Sequence, residues 1–143
     1  MAEKIPQTLA NHTRWDPLFH FFLAPVSLLL LVWAVAHLVR HYSHEAVAMV
    51  VFALLLALTI FMTRTYALKV QDRVIRLEER LRLASLMPVG AKIPELAERQ
   101  LIALRFASDA ELPSLAHKAA SQQLGSKQIK QAIQTWRPDY WRV

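Results

Sequence analysis

Apolar residues are concentrated in two runs near the start of the chain, and these runs predict a pair of membrane-spanning helices. The first run, residues 18–39, carries no formal charge, and the second, residues 46–62, is apolar or small throughout. As helices they would be about 33 Å and about 25 Å long, close to the hydrocarbon thickness of a bilayer, with the second at the short end. Residues 40–45 between them leave room only for an antiparallel turn. We therefore expect a transmembrane hairpin.

The start of the first run carries the expected signals of a helix N-terminus. Asp16 can cap the free amides, Pro17 suits the first helical position, and Pro25 is expected to kink the helix by removing one hydrogen bond. Two rival interpretations are a pair of buried core helices in a soluble protein and a cleaved signal peptide ending near Ala34. The length of the runs disfavours the first rival, and the immediate second run disfavours both.

A narrower apolar pattern follows the second run directly. Residues 63–86 contain no Gly or Pro, so we expect the second span to continue as one helix. Apolar residues recur there at spacings of four and three, which is typical of a coiled-coil face. We call this face the apolar stripe, and its members are Tyr66, Val70, Val74, Leu77, Leu81 and Ala84.

An apolar face of this kind is expected to pack against a partner. The sequence leaves three partners possible: the chain's own C-terminal helices, a second copy of the chain, or another protein. Within the second span, Ala53 and Ala57 form a small-residue pair that would let helix backbones approach closely. The same alanines are equally consistent with simple filling of an apolar helix.

The last part of the chain, residues 87–143, predicts a small helical module. Pro88 and Gly90 interrupt the long helix, and three helices are expected over 94–107, within 109–124 and over 127–136. Gly125 is expected to end the second of these as a left-handed cap, and Ser126 to serve as the N-cap of the third. The module is small for an independent core, so we expect it to pack on the helix at 63–86.

Charge is distributed unevenly along the 143 residues, whose formal net charge is +6. Residues 1–62 are neutral overall, so the whole excess lies in residues 63–143. By the positive-inside rule, the N-terminal segment (1–17) and everything after residue 62 are expected in the cytosol. We expect five cations to contact anionic lipid and four aromatic residues to lie at the membrane interface: Arg64, Lys69, Arg73, Arg76 and Arg80, and Trp15, Trp136, Tyr140 and Trp141.

Two further chemistries are alternatives. A short helix with Lys127 and Lys130 after Gly125 resembles a helix-turn-helix, which predicts a membrane-tethered nucleic-acid binder. His37 and His41 share a helix face and, with His20, predict haem or metal binding in the first span. Otherwise the sequence shows no catalytic motif, phosphate loop or cysteine, and we expect no enzyme, cofactor or small-molecule substrate.

Five stretches of the chain resemble a family of small uncharacterised bacterial membrane proteins, a domain family of unknown function: residues 11–15, 19–22, 66–82, 99–113 and 129–140. The resemblance implies two spans and a cytosolic helical tail in the bacterial inner membrane, and it implies no activity or cofactor.

Taken together, these patterns predict an all-α fold: a transmembrane hairpin, a second span that continues into a cytosolic amphipathic helix, and a small C-terminal bundle. The expected function is that of a non-catalytic accessory or assembly subunit. It would bind lipids and another membrane protein or further copies of itself, rather than nucleic acid.

Overall fold

The computed structural model describes residues 6–13 and 15–140, and their secondary structure is helical. The all-α prediction is therefore confirmed. Five α-helices follow one another along the chain, with a π-helical turn at Phe19–Leu23 directly before the first: α1 (Ala24–Arg40), α2 (His44–Leu86), α3 (Glu98–Leu104), α4 (Leu112–Ser121) and α5 (Ser126–Ala132). The chain divides into two compact units. The hairpin unit is Trp15–Lys69, and the helical unit combines the N-terminal segment with the chain from Val70 onward.

The hairpin unit contains the two long apolar helices that the sequence predicts. The helical stretch Phe19–Arg40 and helix α2 are both long and apolar enough to cross a membrane. Helix α2 continues without a break to Leu86, as expected from the absence of Gly and Pro after the second apolar run. A bridge of only three residues, 41–43, separates the two helices.

The first helix begins in the predicted way but with a wider first turn. The Asp16 carboxylate accepts a hydrogen bond from the Phe19 amide (3.2 Å), which caps the free N-terminus. Pro25 has no N–H to donate, and the turn before it is a π-helix in which the Ala24 amide donates to the Phe19 carbonyl. The proline thus coincides with a π-helical turn, one of the usual ways in which a helix accommodates a missing bond.

The open end of the hairpin is closed by contacts between its two helices. The Phe19 and Phe61 rings meet edge to face, 5.8 Å between centroids. Arg64 pairs with Asp16 (3.6 Å) and lies over the Phe19 ring (5.4 Å). The side chains that this unit buries are small, which permits close backbone approach: Ser27, Ala34, Ala46, Ala53 and Ala57.

The helical unit has a core built from α3, α4, α5 and the last turns of α2. Leu83 of α2 is 1% exposed and belongs to the same buried cluster as Leu104, Phe106 and Ile129. The prediction that the C-terminal module packs on the long helix is therefore confirmed. An isolated antiparallel bridge between Ala107 and Trp136 ties the tail to the end of α3.

Two of the three C-terminal helices are shorter than their sequence patterns predict, whereas α4 lies within the predicted range 109–124. Helix α3 begins at Glu98 rather than Pro94, and α5 ends at Ala132 rather than near Trp136. Ser126 is the first residue of α5 and Gly125 its N-cap, with the Gly125 amide donating to Gln128 (2.8 Å). The predicted left-handed cap at Gly125 is wrong, because its φ is −74°. The predicted N-cap at Ser126 is also wrong, because Gly125 occupies that position and Ser126 is already helical.

The left-handed residue that ends α4 is Gln123, whose φ is 51°. Its neighbour Leu124 donates its amide to the Ala119 carbonyl (3.0 Å) and packs on the buried cluster. This arrangement is a Schellman motif with its usual hydrophobic contact. The gain from that contact and from satisfied carbonyls explains why a non-glycine residue adopts this conformation.

Candidate functional site

Helix α2 has two different faces within the helical unit. One face is buried against the C-terminal helices through Ile75, Glu79 and Leu83, which are 6%, 5% and 1% exposed. The opposite face carries the apolar stripe, of which Val70 and Leu81 are 63% and 64% exposed. The C-terminal helices therefore do not cover the stripe, so of the three occupants left open by the sequence, the chain's own module is wrong.

Within the helical unit, the exposed stripe is a row of mostly large apolar side chains. Val74 and Leu77 are 48% and 59% exposed, and Ala84 is also exposed. Tyr66, the member of the stripe that belongs to the hairpin unit, is 53% exposed. Soluble surfaces carry isolated apolar residues routinely, but a continuous row is characteristic of a binding surface. The stripe is thus the part of the helical unit with the clearest unsatisfied apolar surface.

The cations predicted to contact lipid fall into two groups. Lys69, Arg73 and Arg80 are exposed beside the stripe. Arg76 forms an ion pair with Glu98 at the start of α3, and Arg64 pairs with Asp16 within the hairpin unit. Lipid contact stays a prediction for all five, but the last two have protein partners as well.

Charged side chains around the buried Glu79 join α2 to the segments that follow α3 and α5. The Arg82 guanidinium donates to Asp109 (2.6 Å), to Glu79 (2.9 Å) and to the Ala107 carbonyl (2.7 Å), so each of its three nitrogens has a partner. Arg137 approaches the other Glu79 oxygen (3.8 Å). Burial raises the pKa of Glu79, and the neighbouring Arg82 and Arg137 oppose that increase. These side chains hold α2 in register with the module.

A cavity of about 590 Å³ lies beside these buried charges. Its walls carry three guanidinium and three carboxylate groups: Arg82, Arg105 and Arg137, and Glu78, Glu79 and Asp139. Arg105 pairs with Asp139 (3.0 Å) and lies over the Phe106 ring (4.3 Å). Guanidinium and carboxylate groups are balanced here, so the cavity offers no net charge to attract an ion. Sequence reasoning missed this cluster because exposed charge is the normal expectation for such residues.

The buried amide of Gln100 ties the module together internally. Its Nε2 donates to the carbonyls of Ala119 (2.9 Å) and Leu124 (3.0 Å), and its Oε1 accepts from the Ala97 amide (2.8 Å). One side chain thereby satisfies the N-terminus of α3 and the C-terminal end of α4, where free backbone groups would otherwise be left.

The N-terminal segment packs on the helical unit. Gln7 exchanges two hydrogen bonds with the backbone of Asp139 (3.1 and 2.8 Å). The His12 ring lies against Phe106 and Trp136, and its Nε2 is 3.1 Å from the Lys130 ammonium. The second nitrogen, Nδ1, lies 2.8 Å from the Leu9 carbonyl and donates to it when Nε2 accepts from Lys130.

The predicted interface aromatics are placed differently from one another. Trp15 is 61% exposed, in accordance with an interfacial position. Trp136 packs on the buried cluster with its ring 5.1 Å from Phe106, so its surroundings are those of a core residue. Tyr140 is partly buried, and Trp141 lies outside the described residues.

The candidate ligands in the first span do not converge. His37 and His41 are neighbours (5.4 Å between ring centroids), with His37 stacked on Trp33, whereas His20 bonds locally to the Asp16 carbonyl (2.8 Å). Among the described residues, no group of three or more His, Cys, Asp or Glu side chains is arranged to hold a metal ion. Haem or metal binding stays a prediction without a built site.

Comparison with known proteins identifies the family of this chain. Residues 1–143 match a family described as "Family of unknown function (DUF6526)". The chain belongs to this family. The resemblance seen in the sequence, to an uncharacterised domain family, is therefore confirmed. No curated protein and no solved structure matches the chain.

Membership of DUF6526 supplies no residue roles, so any role must come from the geometry. Of the features described, the buried charges and Gln100 already have partners that account for them. The exposed apolar side chains of the stripe from Val70 to Leu81 have no such partners among the described residues, and Arg73 and Arg80 are exposed beside them. They form the candidate functional surface of this DUF6526 protein.

Proposed function

We propose that this protein is a non-catalytic membrane-anchored interaction subunit, which binds a protein partner through the apolar stripe of α2. The observation that carries the proposal is that α2 has two apolar faces, of which one is packed and one is bare: Leu83 is 1% exposed, whereas Leu81, two residues away, is 64% exposed. Burying an exposed Leu side chain is worth about 1.5–3 kcal/mol in full, so a row of them favours association.

The membrane part of the proposal rests on the hairpin unit. In the most apolar windows of its two helices only 11% and 17% of the residues are buried, whereas core helices of soluble proteins are mostly buried. Lipid would cover the remaining apolar side chains. Charged residues that could mark a proton path are absent from residues 18–39 and 46–62, which favours an anchor over a transporter.

The orientation that we propose places both ends of the chain in the cytosol of a bacterial cell, with the hairpin in the inner membrane. Lys and Arg cluster after the second span, which is the side retained in the cytosol. The packing of Gln7 on Asp139 agrees with this arrangement, because it requires the two ends to share a compartment.

Site-specific photocrosslinking in native membranes tests the proposed binding surface. A photoreactive amino acid at Leu77 should give protein adducts of defined mass, because the side chain is exposed within the stripe. The same probe at the exposed His117 of α4 serves as the matched control and should give none. Absence of protein adducts at Leu77, or equal adducts at both positions, would reject the stripe as the binding surface.

A further inference from the structure

From Val70 onward, the apolar stripe follows a strict heptad register. Val74 and Leu81 are seven residues apart and occupy a positions; Val70, Leu77 and Ala84 are likewise seven apart and occupy d positions. Lipid-facing surfaces need no such seam, whereas an a/d seam matches the period of two helices that supercoil around each other. Val74 at a with Leu77 at d is the combination that favours two strands in a parallel coiled coil, whereas Leu81 at a and Val70 and Ala84 at d do not follow it.

The occupant of this seam can be argued from the charges at its edges. In the same register Arg73 occupies a g position, directly before Val74, and Glu78 an e position, directly after Leu77. Both side chains are exposed. In a parallel coiled coil, a g residue faces the e residue that lies five positions further along the other helix. Arg73 of one copy therefore faces Glu78 of the second copy, and the symmetry of the pair repeats the contact.

The remaining edge positions permit the same pairing. Arg80, the next g residue, faces Ser85 of the second copy, so no like charges meet. In an antiparallel pair, by contrast, g residues face g residues, and the Arg73 and Arg80 side chains would be opposed to one another. Copies inserted in one membrane share one topology, so their α2 helices are parallel by necessity. The charges along the stripe and the shared membrane topology therefore both favour a parallel pair of α2 helices.

Space for a second helix is available on this side of α2. The C-terminal module contacts the opposite face through Ile75, Glu79 and Leu83. A partner of another kind, with acidic residues along both edges, would match Arg73 and Arg80 but would place a like charge against Glu78. The charges along the stripe therefore match those of a second, identical helix better than those of a uniformly acidic helix.

We infer that the partner of the apolar stripe is a second copy of this chain, in a parallel α2–α2 coiled coil over residues 70–84 with reciprocal Arg73–Glu78 pairs. This inference rests on the proposed function, in which the stripe is the binding surface, and it names the occupant.

The natural sequence contains no cysteine, so single substitutions give unambiguous crosslinks. Full-length Val74→Cys in native membranes should form a disulfide-linked homodimer on mild oxidation, because a positions of parallel helices face each other. Ser114→Cys, at an exposed position of α4, is the matched control and should remain monomeric under the same conditions.

Charge reversal separates self-association from other partners. On the Val74→Cys background, Arg73→Glu or Glu78→Arg alone should reduce the dimer yield, with a dissociation constant raised at least about tenfold, because each change converts two attractive pairs into repulsive ones. Combining both reversals should restore dimer formation to near its original level. A heterologous partner would have no reason to be rescued by the double reversal.

The possible outcomes are distinguishable. Failure of Val74→Cys to form a homodimer, or failure of the double reversal to restore it, overturns the inferred coiled coil. If photocrosslinking at Leu77 still yields a different protein, the stripe remains a binding surface and only its occupant changes. If neither a homodimer nor another protein adduct forms, the inference and the proposed function both fail.

Discussion

Replacing Leu83 with Ala tests which face of α2 holds the helical unit together. Leu83 is 1% exposed in a cluster with Leu104, Phe106 and Ile129, so its truncation removes buried apolar surface and leaves a cavity. Substitutions of this kind cost about 2–5 kcal/mol, and a central value of about 3 kcal/mol corresponds to a roughly 150-fold larger opening constant. Hydrogen exchange of the α3, α4 and α5 amides, followed by mass spectrometry on the full-length protein in detergent, should show that increase.

The matched control is Leu81→Ala, the same chemical change two residues away on the same helix. Leu81 lies outside the core of the helical unit and is 64% exposed within one chain, so the expected loss at the α3, α4 and α5 amides is below about 1 kcal/mol, or less than about fivefold in exchange rate, whether or not Leu81 contacts a second copy. Helix propensity changes equally in both variants and cancels in the comparison. A larger effect from Leu81→Ala than from Leu83→Ala would refute the register of α2 described above.

Two more predictions concern topology and pH. In the proposed orientation the bridge lies outside the cytosol, whereas α4 lies within it. An impermeant maleimide added to intact cells should therefore label Tyr42→Cys but not Ser114→Cys, both of which are exposed positions. Labelling of Ser114→Cys alone would show that the orientation is the opposite one. Burial raises the pKa of Glu79 above 4.5, so the folded chain takes up its proton at higher pH than the unfolded chain. Wild type should therefore gain stability relative to Glu79→Gln as pH falls from neutral toward 4.5, the ordinary value at which the gain levels off, measured by chemical denaturation; a pH-independent difference would contradict this.

Composition and period were sufficient to predict the hairpin and the unbroken helix that follows it. Both depend on local chemistry: long uncharged runs, a capped start at Asp16, and no helix-breaking residue between 63 and 86. The close contact of Arg64 with Asp16 could also have been anticipated, because an antiparallel hairpin brings the start of one helix beside the end of the other.

The packing face of α2 could not be predicted in the same way. The stripe is the more regular apolar pattern, whereas the buried face interleaves Ile75 and Leu83 with Glu79 and Arg82. From the sequence alone, Glu79 and Arg82 indicate a solvent-exposed face. Their partners in the structure, Asp109 and Arg137, are distant in sequence and could not be assigned in advance. The cap at Gln123 escaped prediction for a related reason, since the contact of Leu124 with the core decides it.

The contact between Gln7 and Asp139 places a condition on folding in the proposed membrane topology. The two residues are 132 positions apart, so Gln7 cannot form its hydrogen bonds to the Asp139 backbone until Asp139 has been synthesised. In the proposed topology, both spans lie between these two residues. A chain that crossed the bilayer only once would have Gln7 and Asp139 on opposite sides, and the contact could not form. If the proposed topology is correct, formation of this contact therefore requires that both spans have been inserted.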